Sequence, residues 1–353
     1  FDMYGDDSLL LHLLPAEEKC KQYGFPAENI FSRKAADGLS MEMVRQRPLP
    51  EPFSYSLDEP NVYLLDSFEY ALDQETEYED ACELLKMDNR LRKRLGWRLR
   101  CESVEQPYVK YGRKERDVRD HTLYLRTIIC SQMVKTGCLL ALEGVEYVTG
   151  TLNGHRICMN PAGYYVDKAI VTVALPDLKE GDNELLLQVR YGEASNLEWM
   201  YLLGDFGVLV EGSRKQMIPK PERLFWGDYT RQGFPFYTGN MTYYVSIPQG
   251  EGIVQVPYYS GAAVKASANG GEERMMAFLP FSGRFKGEKE VNTLALTCLG
   301  NRYNGFGQLH LIGDDVVWLG PDSWRTEGDS WTDVYQLRPM GFLSAPLWLS
   351  ECK

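Results

Sequence analysis

The chain has 353 residues, 44% of them hydrophobic, so it is long enough for two or three domains with buried cores and is not typical of a disordered protein. Its formal net charge of -12 argues against a nucleic-acid groove or an anionic membrane surface as a partner, because the summed field would repel both. Neutral sugars are compatible with this charge.

The first 60 residues lack the pattern of an independent domain. A short apolar run at 9–14 ends at Pro15, and four prolines then interrupt any regular element before residue 61. These prolines are Pro48, Pro50, Pro52 and Pro60. We therefore predict that residues 1–60 form a short helical and irregular connector that docks against a neighbour.

A strand and a helix are predicted next. From residue 61 a strand leads into a polar turn, and apolar residues then recur at roughly helical spacing between Tyr78 and Leu95. We predict a helix near 75–96 that caps the first sandwich. Its acidic residues come early and its basic residues late, which suits the helix dipole and predicts a solvated, charged helix.

One pattern occurs twice in the rest of the chain: a strand, an Asn-Gly turn, an irregular stretch and an asparagine step into a second strand. The first copy spans 123–189, with its turn at Asn153-Gly154. The second spans 241–296, with its turn at Asn269-Gly270. Asn-Gly is a strong hairpin signal, because both residues tolerate positive φ. A repeat of this length predicts two β-sandwiches in tandem rather than a solenoid.

The join between the two sandwiches is predicted between residues 211 and 222, where glycine, serine and proline cluster. We therefore predict an all-β protein. Its first sandwich would occupy 61–215 and its second 216–353, after the connector.

The stretch from Leu152 to Gly192 contains LNGHRI and GYYVDKAIVTVALPDLKEGDNELLLQVRYG, and it resembles the sugar-binding jelly roll of glycoside hydrolase family 2 and its relatives. In that galactose-binding-like fold, a Leu-Lys-x-Gly-x-Asn turn, here 178–183, leads into the strand that closes the sandwich. The segments 196–208, 233–245 and 300–311 also resemble C-terminal regions of large glycosidase-like proteins. The resemblance implies two galactose-binding-like jelly rolls that accompany an upstream catalytic barrel. The second copy departs from the pattern at 289–292, where the expected glycine is displaced to Gly287.

Carboxylates are the candidates for catalysis, since glycoside hydrolysis uses a pair of them. Four carboxylates stand near apolar segments, those of Glu143, Glu198, Asp205 and Asp228, and Glu198 and Asp205 flank the run at 199–204. A hydrolase would use Glu198 with Asp205 or Asp228 as acid and base, in a cleft between the sandwiches. The alternative that we favour is that Glu198 pairs with an arginine and that Asp205 caps a turn.

Aromatic and polar residues of the second sandwich are candidates for a sugar site, because aromatic faces stack on sugar rings while polar groups bind hydroxyls. Trp324 and Trp331 have the most polar neighbours and are the predicted stacking platforms. Arg302, Asn304 and His310 lie in one segment that would supply donors and acceptors. A structural hydrogen-bond cluster at the edge of the sandwich is the open alternative for this segment.

The sequence shows no metal or cofactor motif, because its four histidines lack ligand spacing and its eight cysteines form no Cys-x-x-Cys pair. We predict no cofactor and no metal, while a structural calcium ion stays open. Cysteines within apolar strands favour reduced thiols and a cytoplasmic setting. A removed leader stays open because the chain begins at Phe1, and so does one disulfide between Cys130 and Cys138.

These observations favour a carbohydrate-binding or scaffolding accessory region of a glycoside-hydrolase-like protein, non-catalytic by itself. Its predicted partners are a carbohydrate and an upstream catalytic domain or another subunit, and neither nucleic acid nor membrane. A glycoside hydrolase in its own right and a purely structural interaction module are the alternatives.

Overall fold

The computed structural model describes residues 44–100, 118–313 and 325–351. These residues form mainly strands, arranged in four sheets that are almost entirely antiparallel, so the predicted all-β class is confirmed. The strands are β1 (Val44–Pro48), β2 (Ser54–Leu57), β3 (Asn61–Leu65), β4 (Ser67–Leu72), β5 (Glu79–Glu83), β6 (His121–Ser131), β7 (Leu139–Leu142), β8 (Val148–Leu152), β9 (His155–Arg156), β10 (Pro161–Tyr165), β11 (Asp167–Ala174), β12 (Gly181–Tyr191), β13 (Met200–Gly204), β14 (Gly207–Glu211), β15 (Arg214–Ile218), β16 (Met241–Ile247), β17 (Gly250–Gln255), β18 (Ala263–Ala268), β19 (Arg274–Met275), β20 (Ser282–Gly287), β21 (Asn292–Leu299) and β22 (Leu347–Glu351). The helices are α1 (Leu84–Leu95) and α2 (Tyr303–Phe306), with short 3₁₀ turns at Val145–Tyr147 and Tyr229–Gln232.

The first sandwich packs two sheets around one hydrophobic core. One sheet has the order β10-β11-β7-β13-β3; the other has the order β14-β15-β6-β12-β8-β9, with β4 and β5 beside β6. Inward-facing leucines from both sheets meet in the core, among them Leu64, Leu125, Leu140, Leu187 and Leu202. The alternation along β6 and β12 therefore buries one face of each strand, as the sequence pattern predicts.

Helix α1 closes one side of this core through Leu84, Met87 and Leu91. It begins at Leu84 rather than near residue 75, because Glu79–Glu83 form β5 and pair with β4. Glu83 caps its N-terminus by accepting hydrogen bonds from two backbone N–H groups.

Arg92 shows that the charged side of α1 is not wholly solvated. Its side chain is 3% exposed, and it donates to Asp88 and to three backbone carbonyls, those of Arg98, Glu193 and Ser195. The prediction of a solvated helix is wrong at this position, because the loops around residues 98 and 195 fold over the guanidinium and supply acceptors for it.

The second sandwich packs the sheet β1-β22-β17-β20 against the sheet β19-β18-β21-β16-β2. Its separate core contains Phe53, Tyr243, Leu296 and Trp348. Strands β1 and β2 come from the region predicted as a connector, so its described part instead completes this sandwich. Both are edge strands, and proline is tolerated at the edge of a sheet. The prolines in and around these strands make them difficult to recognise from the sequence.

The region predicted as a join, 211–222, contains a hairpin instead. Gly212 has a φ of 65° at the turn between β14 and β15. Strand β15 continues to Ile218, so the first sandwich extends beyond residue 215. The glycine and serine there make a tight turn, which has the same composition as a linker.

The repeat seen in the sequence is also a repeat of the sheet order. Strands β6-β12-β8-β9 of the first sandwich correspond to β16-β21-β18-β19 of the second. The turns have matching backbone angles, with φ of 52° at both Asn153 and Asn269 and of 79° and 73° at the following glycines. Both Asn-Gly hairpin predictions are confirmed.

Each copy is locked by the same pair of asparagines, which we call the asparagine clasp: Asn153 with Asn183, and Asn269 with Asn292. In the first clasp Asn153 Nδ2 donates to Asn183 Oδ1 over 2.8 Å, and in the second the equivalent bond is 2.9 Å. The first asparagine of each pair also accepts from the backbone N–H that follows the second asparagine, over 3.1 and 3.0 Å.

The second asparagine of each clasp holds its own loop in the same way. Asn183 bonds the N–H and carbonyl of Lys179 four residues before it, whereas Asn292 bonds those of Lys289 three residues before it. The loop of the second copy is thus one residue shorter. Gly181 has a φ of 88°, and no residue from 288 to 292 needs a positive φ, which explains the missing glycine.

The chain after β21 returns to the first sandwich before it ends in the second. Leu309 and Tyr335 enter the first core, and Tyr303 and Phe306 pack against it. Strand β22 then pairs with β1 and β17 of the second sandwich. This returning segment, which we define as 303–313 and 325–337, therefore joins the two sandwiches.

Candidate functional site

A buried polar cluster holds the returning segment on the first sandwich. Asp66, directly after β3, is fully buried and accepts hydrogen bonds from Lys215 Nζ and Tyr335 Oη, both over 2.7 Å. It also bonds His310 Nε2 over 3.0 Å. Burial works to raise the pKa of Asp66, but Lys215 and His310 outweigh it and hold that pKa well below its usual range.

His310, a predicted sugar ligand, uses both of its ring nitrogens in this cluster. Nδ1 lies 2.9 Å from the carbonyl oxygen of Thr332, and Nε2 faces the Asp66 carboxylate. A carbonyl oxygen and an ionised carboxylate both accept hydrogen bonds, so this arrangement favours the doubly protonated imidazolium form of the ring. Burial works to lower the pKa of His310, but the bond to Asp66 outweighs it, and the pKa is raised.

The cavity beside His310 is too small for a sugar. It holds about 10 Å³ and is lined by Glu83, Trp199, Gln308 and Trp331, among others. A single water needs about 10–15 Å³ of such space. Trp199 Nε1 donates to Glu83 over 2.5 Å, and burial raises the pKa of Glu83. The cavity therefore accommodates at most one water.

Trp331, one of the two tryptophans predicted as stacking platforms, already has contacts on its ring. Trp331 is half-buried, with its ring stacked on His310 at 5.6 Å and the Lys86 ammonium 3.6 Å from its centroid. These contacts occupy part of the ring surface that a sugar would need. Trp324 lies outside the described residues.

Arg302 and Asn304 have separate partners. Arg302 forms a bidentate ion pair with Glu59, in which the bond from Nη1 to Oε2 measures 2.5 Å. Asn304 is buried and exchanges hydrogen bonds of 2.8 and 3.0 Å with the backbone of Arg338. With His310 bound to Asp66, the three residues take part in three different sets of contacts.

The three carboxylates considered for catalysis are likewise bound by different partners. Glu198 Oε1 accepts from Arg100 over 2.6 Å, which is the predicted arginine pairing. Asp205 is 71% exposed and pairs with Lys220 over 2.7 Å, so it does not cap a turn as we expected. Asp228 caps the 3₁₀ turn Tyr229–Gln232 instead.

A polar cleft in the first sandwich brings together groups that the sequence analysis did not combine. It has about 100 Å³ of space, ten times that of the cavity beside His310. Its polar and aromatic lining includes Arg119, Glu143, Glu146, Tyr147, Tyr191, Ser195, Asn196 and Glu198.

A chain of hydrogen bonds runs along this cleft. Arg100 donates to Asn196 Oδ1 and to Glu198, and Asn196 Nδ2 donates to Glu143 Oε2. Burial raises the pKa of Glu198, an effect that Arg100 opposes and the nearby Glu143 carboxylate reinforces. Arg119 and Tyr147 also line the cleft, with the Arg119 guanidinium 3.4 Å from the ring centroid of Tyr147.

The sheet topology explains why these groups meet. Glu143 follows the end of β7, while Asn196 and Glu198 precede the start of β13. Strands β7 and β13 pair antiparallel, so the end of one lies beside the start of the other. The acidic residues were visible in the sequence, but their proximity depends on a strand pairing between residues about 60 positions apart.

No group of three or more His, Cys, Asp or Glu side chains within 44–100, 118–313 and 325–351 is placed to hold a metal ion. None of the helices in those ranges combines the length and apolar character needed to cross a membrane. Cys130 and Cys138 are both free thiols.

No protein-family model matches the sequence, and no match to a curated protein is found. Among solved structures, the chain is similar to a GH2 beta-galacturonidase from Eisenbergiella tayi bound to galacturonate, with 10% identity and a TM-score of 0.23 over 68% of this chain and 37% of that one. It is also similar to a beta-D-glucuronidase from Dictyoglomus thermophilum, with 9% identity and a TM-score of 0.24 over 70% of this chain and 42% of that one.

A third similar structure is an anti-sigma factor domain-containing protein from Clostridium clariflavum, with 8% identity and a TM-score of 0.16 over 68% of this chain and 90% of that one. The chain spans less than half the length of both glycosidases. Similarities at these TM-scores carry no argument about function.

Proposed function

We propose that this chain is a carbohydrate-binding or scaffolding region of a glycoside-hydrolase-like protein and is non-catalytic by itself. The observation that carries the proposal is the polar cleft, where carboxylates, an amide and a guanidinium converge beside a tyrosine ring. Binding a hydroxyl-rich ligand needs several donors and acceptors in one concave place. The resemblance of 152–192 to a sugar-binding jelly roll supports the same function.

The scaffolding part of the proposal is supported by the way the sandwiches are joined. The returning segment places Leu309 and Tyr335 in the first core, while β1 and β22 pair in the second sandwich. A pair of sandwiches tied in this way can hold a neighbouring catalytic domain or subunit in a fixed orientation.

The proposal is tested by titrating the protein with a panel of mono- and oligosaccharides in isothermal calorimetry. We expect saturable binding of at least one sugar. Glu198→Gln tests the polar cleft, and Trp331→Ala tests the predicted stacking platform. A panel without any binding would contradict carbohydrate recognition and leave scaffolding as the proposal.

A glycoside hydrolase is the second candidate, and one observation favours it. Glu143 and Glu198 line the same cleft, and burial raises the pKa of Glu198, as it does for the acid of a hydrolytic pair. Asp205 and Asp228, the partners first considered for Glu198, are bound elsewhere. Release of nitrophenol from aryl glycosides, abolished by Glu143→Gln and by Glu198→Gln, would establish this candidate over the first.

A further inference from the structure

The polar cleft has hydrogen-bonding capacity that the residues described by the structure do not use. Glu143 binds Asn196 through Oε2, and Glu198 binds Arg100 through Oε1. Their second oxygens, Glu143 Oε1 and Glu198 Oε2, make no hydrogen bond to any residue that the structure describes. A carboxylate oxygen accepts readily from a hydroxyl group, so the two can bind separate hydroxyls of one ligand.

The size of the cleft limits the ligand. About 100 Å³ is room for several waters, or for one sugar ring with its remainder extending into solvent. The walls are fixed in place, because Arg100 also donates to the Leu197 carbonyl over 2.7 Å and to buried Asp88 over 2.8 Å. A preorganised cleft of this size favours a single monosaccharide unit over an extended chain.

The charges that line the cleft favour neutral sugars over sugars that carry a carboxylate. Within 44–100, 118–313 and 325–351, its charged lining consists of three carboxylates, those of Glu143, Glu146 and Glu198, and one guanidinium, that of Arg119. Arg100 adds a second positive charge beside Glu198, and it also binds Asp88, which is paired with Arg92 as well, so the three carboxylates still outnumber the two guanidiniums at the cleft. The local field is therefore negative, and a ligand carboxylate would be repelled in a place where solvent screens charges only partly.

We propose that the polar cleft binds one neutral hexose unit, with Glu143 and Glu198 accepting from its hydroxyls, and that it rejects hexuronic acids. This inference rests on the proposed carbohydrate-binding function and names its site and ligand class. The Arg119 side chain, which lies over the Tyr147 ring, is part of the same lining.

The test measures binding of methyl glycosides of galactose, glucose and mannose, each beside its hexuronic acid, by saturation-transfer NMR and calorimetry at pH 7. We expect a neutral hexoside to bind at least about tenfold more tightly than its acid, because unpaired like charges are costly in a partly buried site. Glu143→Gln should weaken this binding about tenfold. Glu251→Gln is the control, since Glu251 lies on β17 of the other sandwich and is 64% exposed.

Glu198→Gln adds a gain-of-binding readout that a misfolded variant cannot produce. It keeps an acceptor oxygen but removes a negative charge, so the hexuronic acid should bind this variant more tightly than it binds the unmodified chain. Two outcomes would overturn the inference and leave the carbohydrate-binding proposal standing. The first is equal or tighter binding of the hexuronic acid by the unmodified chain. The second is hexoside binding that Glu143→Gln does not weaken. If no sugar binds, both this inference and the carbohydrate-binding proposal are wrong.

Discussion

Replacing Asp66 by asparagine should cost far more free energy of unfolding than replacing Asp205 by asparagine, although each carboxylate binds a lysine over 2.7 Å. The two ion pairs differ in burial. The side chain of Asp66 is 0% exposed and that of its partner Lys215 is 11% exposed, whereas Asp205 is 71% exposed and Lys220 is 33% exposed.

The expected magnitudes follow from this contrast. Asp66→Asn leaves the Lys215 ammonium and the His310 imidazolium without their shared negative charge, and removing one partner of a buried ion pair costs about 3–5 kcal/mol. Asp205→Asn removes an exposed pair, which contributes at most about 1 kcal/mol. We therefore expect a difference of at least about 2 kcal/mol between the two variants.

The assay is equilibrium unfolding in urea at pH 7, followed by tryptophan fluorescence and circular dichroism. Trp199 lies beside Glu83 and His310, so its emission reports on the region that Asp66 holds together. Comparison of the variants requires similar urea dependence, because a changed slope signals a changed unfolded state or an intermediate. Equal losses in the two variants would refute the reasoning that burial governs the contribution of these pairs.

Three further results are expected. Because the pKa of His310 is raised in the folded state, the free energy of unfolding should fall as pH rises from about 6.5 through that folded-state pKa, by at most about 1.4 kcal/mol per pH unit. His310→Gln should remove this pH dependence from the free energies of unfolding measured in urea. Asn183→Ala and Asn292→Ala should each lower the free energy of unfolding by about 2–3 kcal/mol in thermal or urea unfolding, because each leaves loop backbone groups without their hydrogen bonds. Destabilisation by only one of the two substitutions would contradict the equivalence of the two clasps. Gly252→Ala should cost about 1–3 kcal/mol, because its new Cβ would lie 2.3 Å from the buried Trp348 ring, and an unchanged melting temperature would show that the ring can move.

The parts of the fold that the sequence predicted are those with local signals. Asn153-Gly154 and Asn269-Gly270 carry their own preference for positive φ, and the alternation along β6 and β12 is a property of each strand alone. The start of α1 was misplaced because the acidic run from 75 to 83 suits both the first turn of a helix and an exposed strand. Edge strands β1 and β2 were missed because prolines hide their pattern.

The candidate sites depend on contacts that no local signal carries. His310 lies 244 positions from Asp66, and its role as an ionised partner follows only from that contact. The polar cleft requires the pairing of β7 with β13, which brings Glu143 to Asn196 across 53 positions. The charged residues of α1, Arg92 among them, were predicted to be solvated because an arginine on a helix surface usually is. The burial of Arg92 depends instead on a loop that is distant in the sequence and provides the carbonyl groups of Glu193 and Ser195.

The asparagine clasp explains how the two halves of this chain can be so alike in architecture and so unlike in sequence. A few side-chain bonds to backbone atoms fix where the hairpin tip and the central strand meet, whatever lies between them. The intervening stretches, 157–178 and 272–288, can then diverge in length and composition while the central strands β12 and β21 keep their register. Variation is thereby confined to the stretches between the paired asparagines, and a repeat of this kind can acquire a new surface in one copy without loss of the shared frame.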